Sequence, residues 1–273
     1  MSGSFQPWLD RWDLVPDGEP FETASTGSRL APVRRGGVPA MLKIATEPEE
    51  MRGAALMVWW AGRGAAQVLA HEGPALLLER AMGDRSLLQL AAEDDDRATH
   101  ILCAGLGVLH AAVGPPPPGL VPLHQWFTAL APVASREGGL FAKAHTVAED
   151  LLAAPQGERV LHGDMHHENM LDFAERGWLA IDPKGLLGER GFDYANVFCN
   201  PDKSPQAEKI ATQPGRLARR VGIASGISGI APRRLLQWGL AFAGLTSAWR
   251  LQDGQPPGSD LVMAEIAAAE LGL

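Results

Sequence analysis

The chain has 273 residues, 46% of them apolar and 21% charged, which supplies enough hydrophobic surface for a core and argues against a wholly disordered protein. A formal charge of −8 argues against broad electrostatic capture of nucleic acid or anionic lipid and is compatible with a cationic small-molecule partner. Only Cys103 and Cys199 are present, without CxxC spacing, so neither a disulfide framework nor a cysteine zinc site is expected and both read as core thiols.

The opening MSGSFQPWLDRWDLVPD has no basic start followed by an apolar run, so a cytoplasmic chain is expected rather than an exported one. Residues 20 to 45 read as a three-strand meander: PFETAST, a bend at Gly27-Ser28, RLAPVR, a turn at Arg35-Gly36-Gly37, then VPAMLKIA. In the third run Lys43 interrupts an apolar pattern. A buried ammonium is costly unless a phosphate or carboxylate meets it; the alternative is an edge-strand lysine reaching solvent. A helix follows, with Thr46 as its N-cap, Pro48 in the first turn, Glu49 and Glu50 where the helix dipole favours anions, and Met51, Ala54, Ala55 and Val58 at helical spacing. The runs AAQVLA and PALLLERA flank His71-Glu72-Gly73-Pro74 as a hairpin. Residues 1–80 thus form a small β-rich lobe.

From Asp84 onward the pattern is helical, and residues 81–273 read as a second, larger lobe. Asp84 can cap a helix through Leu87, Leu88, Leu90 and Ala91, and a second apolar series runs from Ile101 to His110. The acidic run Glu93-Asp94-Asp95-Asp96 between them reads as a solvated helix edge. Pro115 to Pro118 must form a loop, and Leu123 to Ala154 reads as helix broken near Gly138-Gly139. Leu235, Trp238, Phe242, Leu245 and Trp249 share one helix face, in a segment too short to span a membrane, for which about 20 apolar residues are needed. Ser259 can cap a last helix ending near Leu273.

The chemistry concentrates between Val160 and Pro201. VLHGD is an apolar strand running into polar residues, MLDF and GWLAID form a short hairpin, and Asp182 stands where its second strand ends. Asp164, Asn169 and Asp182 can therefore converge at one edge, and their oxygen donors suit Mg²⁺ and a nucleophilic hydroxyl rather than Zn²⁺. The spacing of His162 and His166 could fit a zinc site, but it straddles a Gly-Asp turn, so His162 reads as a loop brace and His166 and His167 as packing or rim groups. Lys184 either balances phosphate charge or pairs with a surface acid.

HGDMHHEN resembles the HGDxxxxN catalytic loop of aminoglycoside phosphotransferases, and IDPKG resembles their counterpart of the kinase DFG segment. EMRGAALMVWWAGRGAAQVL, HGDMHHENML, GWLAIDPKGLLGE and PRRLL…SAW, in that order, are similar to the streptomycin 6-kinase and hydroxyurea phosphotransferase group. The resemblance implies an α+β, bilobal protein-kinase-like fold and a kinase that uses ATP and Mg²⁺ to phosphorylate a hydroxyl of an aminoglycoside, with streptomycin the expected substrate. The alternatives are another small hydroxyl compound such as hydroxyurea, or a metallohydrolase. By the same resemblance Asp164 orients or deprotonates the acceptor, Asn169 and Asp182 hold Mg²⁺, and Lys43 contacts the α- and β-phosphates with Glu50 as its helix partner. Glu79 to Ala81 would form the adenine hinge; Ser25, Thr26, Gly27 and Ser28 would cover the phosphates, although GxGxxG is absent. Asp193 would brace the catalytic loop or cap the helix that follows. A cationic substrate is expected to meet acids from Glu189 to Asp202 or from the helices of residues 123–154.

Overall fold

A computed structural model describes residues 5–23, 27–202 and 209–273. The chain starts with α1 (Gln6–Trp12) and β1 (Leu14–Pro16), ahead of the first element expected from sequence. β2 (Phe21–Glu22), β3 (Arg29–Arg35) and β4 (Val38–Ile44) follow; of the PFETAST strand only Phe21 and Glu22 pair, and residues 24–26 lie outside the described residues. Both β1 and β2 pair antiparallel with β3. The β3–β4 turn places Gly36 at φ 54° and Gly37 at φ 82°, the double left-handed conformation that a two-residue hairpin requires.

After α2 (Pro48–Trp60) come β5 (Val68–Glu72) and β6 (Ala75–Glu79), completing an antiparallel order of β3, β4, β6 and β5. The period-2 side-chain rule explains the continuous apolar run of β6: Ala75 and Leu77 face a cluster with Leu42, Val33 and Phe5, while Leu76 and Leu78 face Leu56, Met57 and Trp60. Trp8, Leu9 and Trp12 of α1 cover the first face, α2 the second. Lys43 pairs with Leu30 on β3 and Leu76 on β6, so it lies on a central strand and not at an edge.

The helical part contains α3 (Leu87–Glu93), α4 (Asp95–His110), α5 (Leu123–Trp126), α6 (Leu130–Glu137) and α7 (Gly139–Ala153), followed by α8 (Gly191–Cys199), α9 (Arg216–Ser228), α10 (Pro232–Gln252) and α11 (Ser259–Leu271). α10 is the hub, packing on α7, α8 and α11 with Trp238, Phe242 and Leu245 buried. Two small sheets present the chemical segment: β9 (Met170–Asp172) pairs antiparallel with β10 (Trp178–Ala180), and β11 (Leu186–Glu189) lies between β7 (Val121–Pro122) and β8 (Glu158–Leu161). Among the described residues no helix is long and apolar enough to cross a membrane.

Three caps differ from expectation. Pro48 occupies the first turn of α2, so Glu47 rather than Thr46 stands at its cap position. The start of α3 is delayed to Leu87, capped by Ser86 instead of Asp84, because Asp172 engages the preceding segment through the amides of Gly83 and Arg85. Ser259 is the first residue of α11, preceded by Gly258, and its hydroxyl donates to the Asp202 carbonyl. The acidic run is a solvated edge only at Glu93 and Asp94, which are exposed. Asp95 is buried and pairs with the fully buried Arg220 of α9, which also donates to the carbonyls of Val197, Phe198 and Asn200. Both cysteines are buried, and burial pushes the Cys103 thiol up to about 12.

Candidate active site

β8 delivers His162, Gly163 and Asp164 into a sharp turn. Gly163 has φ 82°, and a Cβ there would lie 2.9 Å from Leu186, so glycine meets both a conformational and a steric demand. Asp193, on the first turn of α8 rather than at its cap, holds this turn from behind: its carboxylate accepts from the amides of His162 (2.9 Å) and Gly163 (2.7 Å) and lies 2.8 Å from His110 Nε2. His162 Nε2 donates to the Ile181 carbonyl (2.9 Å) while Nδ1 accepts from the Asp164 amide (3.2 Å). Both ring nitrogens are therefore occupied, which fits a neutral brace and not a metal ligand; burial holds its pKa below the ordinary histidine value despite the carboxylates nearby. His167 is buried, and burial followed by the Arg220 charge holds it well below that value.

The β9–β10 hairpin sets the opposite wall. Asn169 just precedes β9 and donates from Nδ2 to the Asp164 carbonyl (2.9 Å), and the Ile181 amide donates back to the Asn169 carbonyl (2.9 Å). Asp182 follows β10 at φ 60°, a left-handed conformation that aspartate tolerates better than most residues and that often accompanies function. Asp164, Asn169 and Asp182 are thus gathered at one edge, as their spacing led us to expect.

Lys43 reaches this edge from β4, paired with both Glu50 of α2 and Asp182. Of the two adjacent acids Glu50 is the buried one and takes Lys43; Glu49 instead takes Lys184, at 3.1 Å. Burial alone would raise the Asp182 pKa, but the charges of Lys43 and Lys184 outweigh it and hold the carboxyl below its ordinary value.

Beside these groups lies a cavity of about 450 Å³, walled by Leu30, Met41, Leu78 and Ile181, with Lys43, Asn169 and Asp182 at its polar end. Apolar walls with a cation and oxygen donors at one end fit a flat base and a metal-bound polyphosphate. Glu79 and Ala81 border the cavity, and the Glu79 carboxylate is engaged by Arg176 and the Gln67 amide. Gly27 has φ 67° and its amide donates to the Thr23 carbonyl; Ser28 is buried; Ser25 and Thr26 lie outside the described residues.

One residue at this site escaped the sequence reading. Asn196 Nδ2 donates to Asp164 Oδ1 at 2.9 Å, and Asn200 Nδ2 in turn holds the Asn196 side-chain oxygen at 2.9 Å. The signal was present, since Asp193, Asn196 and Asn200 follow at steps of three and four on one helix face. The acids expected to line a cationic pocket have internal work. Glu189 is clasped by Arg234 and Trp238, and Asp202 accepts from the amides of Ile210, Ala211 and Thr212. Arg234 and Trp238 belong to the PRRLL segment and its helix, which accounts for their pairing with the GE of GLLGE.

A family model described as aminoglycoside/hydroxyurea antibiotic resistance kinase matches residues 11–254. The chain is 51% identical over 247 residues to streptomycin 3''-kinase of Klebsiella pneumoniae, covering 90% of this chain and 92% of that protein. It is 34% identical to streptomycin 6-kinase of Streptomyces griseus (96% and 86% covered) and 30% identical to hydroxyurea phosphotransferase of Kitasatospora aureofaciens (100% and 80%). Among solved structures it resembles aminoglycoside phosphotransferase APH(4)-Ia, with TM-score 0.63, 16% identity and 98% and 95% coverage. Choline kinase of Cryptosporidium parvum is similar in fold, with TM-score 0.63, 12% identity and 93% and 88% coverage. These likenesses establish the α+β protein-kinase-like fold.

Proposed function

Because the chain belongs to the aminoglycoside/hydroxyurea antibiotic resistance kinase family, and is therefore an ATP-dependent phosphotransferase with an alcohol acceptor, we propose that it inactivates streptomycin by phosphorylating its 3''-hydroxyl. The choice of position follows the higher identity to the 3''-kinase than to the 6-kinase. The observation that carries the chemistry is the convergence of Asp164, Asn169 and Asp182 with the Lys43–Glu50 pair at the polar end of the cavity.

In this reading residues 1–80 and the hinge at Glu79 to Ala81 bind the nucleotide, while residues 81–273 carry the catalytic loop and the acceptor. Asp164, its Oδ1 tied to Asn196, directs its other oxygen to the acceptor hydroxyl and takes the proton. Lys43, steadied by Glu50, meets the α- and β-phosphates, and the turn containing Ser25, Thr26, Gly27 and Ser28 lies over them. Asn169 and Asp182 are the residues that would hold Mg²⁺, which supplies charge neutralisation on the phosphates. Use of ATP agrees with a cytoplasmic location.

The test is ATP-dependent phosphorylation across a panel of aminoglycosides and hydroxyurea, with product mass and phosphate position determined. Streptomycin phosphorylated at the 3'' position is expected. Phosphorylation of hydroxyurea alone would favour the reading suggested by the relative 30% identical to this chain.

A further inference from the structure

The two neighbouring acids at the start of α2 each hold a lysine, and each lysine reaches a different aspartate of the candidate site. Glu50 takes Lys43, which pairs with Asp182. Glu49 takes Lys184 at 3.1 Å, and the same ammonium lies 3.6 Å from Asp164 Oδ2, which also accepts from Asn169 Nδ2 at 3.4 Å. Lys184 is thus a second cation, beside Asp164 as Lys43 is beside Asp182. Its side chain is only 15% exposed.

The backbone fixes this position. The Lys184 amide donates to the His162 carbonyl at 2.7 Å, tying the 182–185 loop to the catalytic turn. α2 lies directly on that loop: a Cβ on Gly53 would fall 2.2 Å from the Pro183 carbonyl oxygen, and one on Gly185 3.2 Å from Arg52 Cβ. A side chain so placed on the surface as a solubilising charge would not need two carboxylate partners and a close-packed support.

Charge supplies the argument for a role. A phosphoryl group carrying negative oxygens must come within bonding distance of a hydroxyl that Asp164 also touches, so two anions converge where Lys184 is the cation beside Asp164. We propose that Lys184 is a further catalytic residue, whose ammonium leaves Glu49 to contact the γ-phosphoryl oxygens during transfer. The inference rests on the kinase reading above. In the step itself the acceptor oxygen forms a bond to γ-phosphorus, the bond from γ-phosphorus to the β,γ-bridging oxygen breaks with its electron pair leaving on ADP, and the hydroxyl proton passes to Asp164. Lys184 remains protonated throughout.

The experiment measures binding of Mg·ADP, with and without beryllium fluoride as a γ-phosphoryl mimic, to the folded wild type and to K184A, K184Q and E49Q. No acceptor is present, so a wrong choice of streptomycin leaves this test intact, and ATP turnover with the best acceptor is recorded separately. K184A and K184Q are expected to bind ADP within about twofold of wild type and the beryllium fluoride complex about tenfold or more weakly, as for loss of a charge-assisted contact. K184Q keeps a polar, uncharged side chain one bond shorter than lysine if K184A fails to fold. E49Q removes a competitor for the ammonium and should leave binding of the mimic as tight or tighter. Beryllium fluoride binding unchanged in K184A or K184Q would overturn the proposal. So would an equal weakening in E49Q and the Lys184 variants, because that pattern marks Lys184 as a brace between α2 and the catalytic turn.

Discussion

Asp164 and Asp182 differ in what holds them. Asp164 is fixed by amide donors from Asn196 and Asn169 and keeps a side chain 30% exposed, which leaves it open to the acceptor proposed for it. Asp182 faces Lys43 from a left-handed backbone position, and its proposed place is on Mg²⁺. D164N is therefore expected to keep Mg·ATP binding while turnover falls by roughly two to four orders of magnitude, the range for losing acid–base help. D182N is expected to weaken nucleotide binding and make it more dependent on magnesium concentration; titrating nucleotide into both folded variants, with and without Mg²⁺, separates the two roles. A second carboxylate gives a pH prediction. Hydrogen bonds from the Arg85 side chain hold Asp172 at about 2 instead of 3.8. A carboxylate depressed on folding contributes stability above its unfolded pKa and loses it as pH falls from about 4 through about 2, so the thermal midpoint should drop across that window and drop less in D172N. Asp164, Asn169 and Asp182 were legible in sequence because their spacing along one strand–loop–hairpin segment fixes where they emerge. Asn196 was legible only as a residue on the helix face of Asp193 and Asn200, because what its side chain meets depends on how α8 lies against that segment.

Elements carry most of the long-range electrostatics. The start of α4 and the middle of α9 are joined by Asp95 and Arg220, and the same guanidinium ties down the carbonyls that end α8. D95N would leave a fully buried guanidinium without its countercharge, a loss of about 3–5 kcal/mol read as a lower denaturant midpoint. D95L combined with R220M should recover much of that loss, since it removes the buried charge as well as its partner. From sequence this acidic run looked like a solvated helix edge, because its partner stands 125 residues away. Periodicity and turn signals identified β3 through β6, α2, α4, α7 and α10, where repeated apolar positions average out local ambiguity, whereas α9 was not read as an element. α1 and β1 span 7 and 3 residues, too short for a periodic signal, and are recognisable only once Trp8, Leu9 and Trp12 are seen against the sheet. The helix starts shifted for local reasons, as where Pro48 displaced the expected Thr46 cap.

At the scale of the molecule, the formal charge of −8 acts on whatever approaches the cleft. Three acids that might have formed a dedicated cation pocket, Glu189, Asp193 and Asp202, are buried and hold internal partners instead. Exposed acids such as Glu149 and Asp150 on α7 contribute to the surrounding field from the surface. A field made by exposed charges is screened within about 10 Å at 0.1 M salt, whereas short contacts inside a desolvated site are screened much less. Raising ionic strength from about 0.05 to about 0.5 M should therefore slow streptomycin association more than it speeds dissociation, because steering acts mainly on encounter. Neutral hydroxyurea should be nearly insensitive to the same change. Rapid-mixing measurements with a fixed saturating nucleotide separate the two rate constants. Streptomycin binding whose salt dependence lies in the dissociation rate would instead locate the recognising acids inside the cleft, in contact with the bound cation.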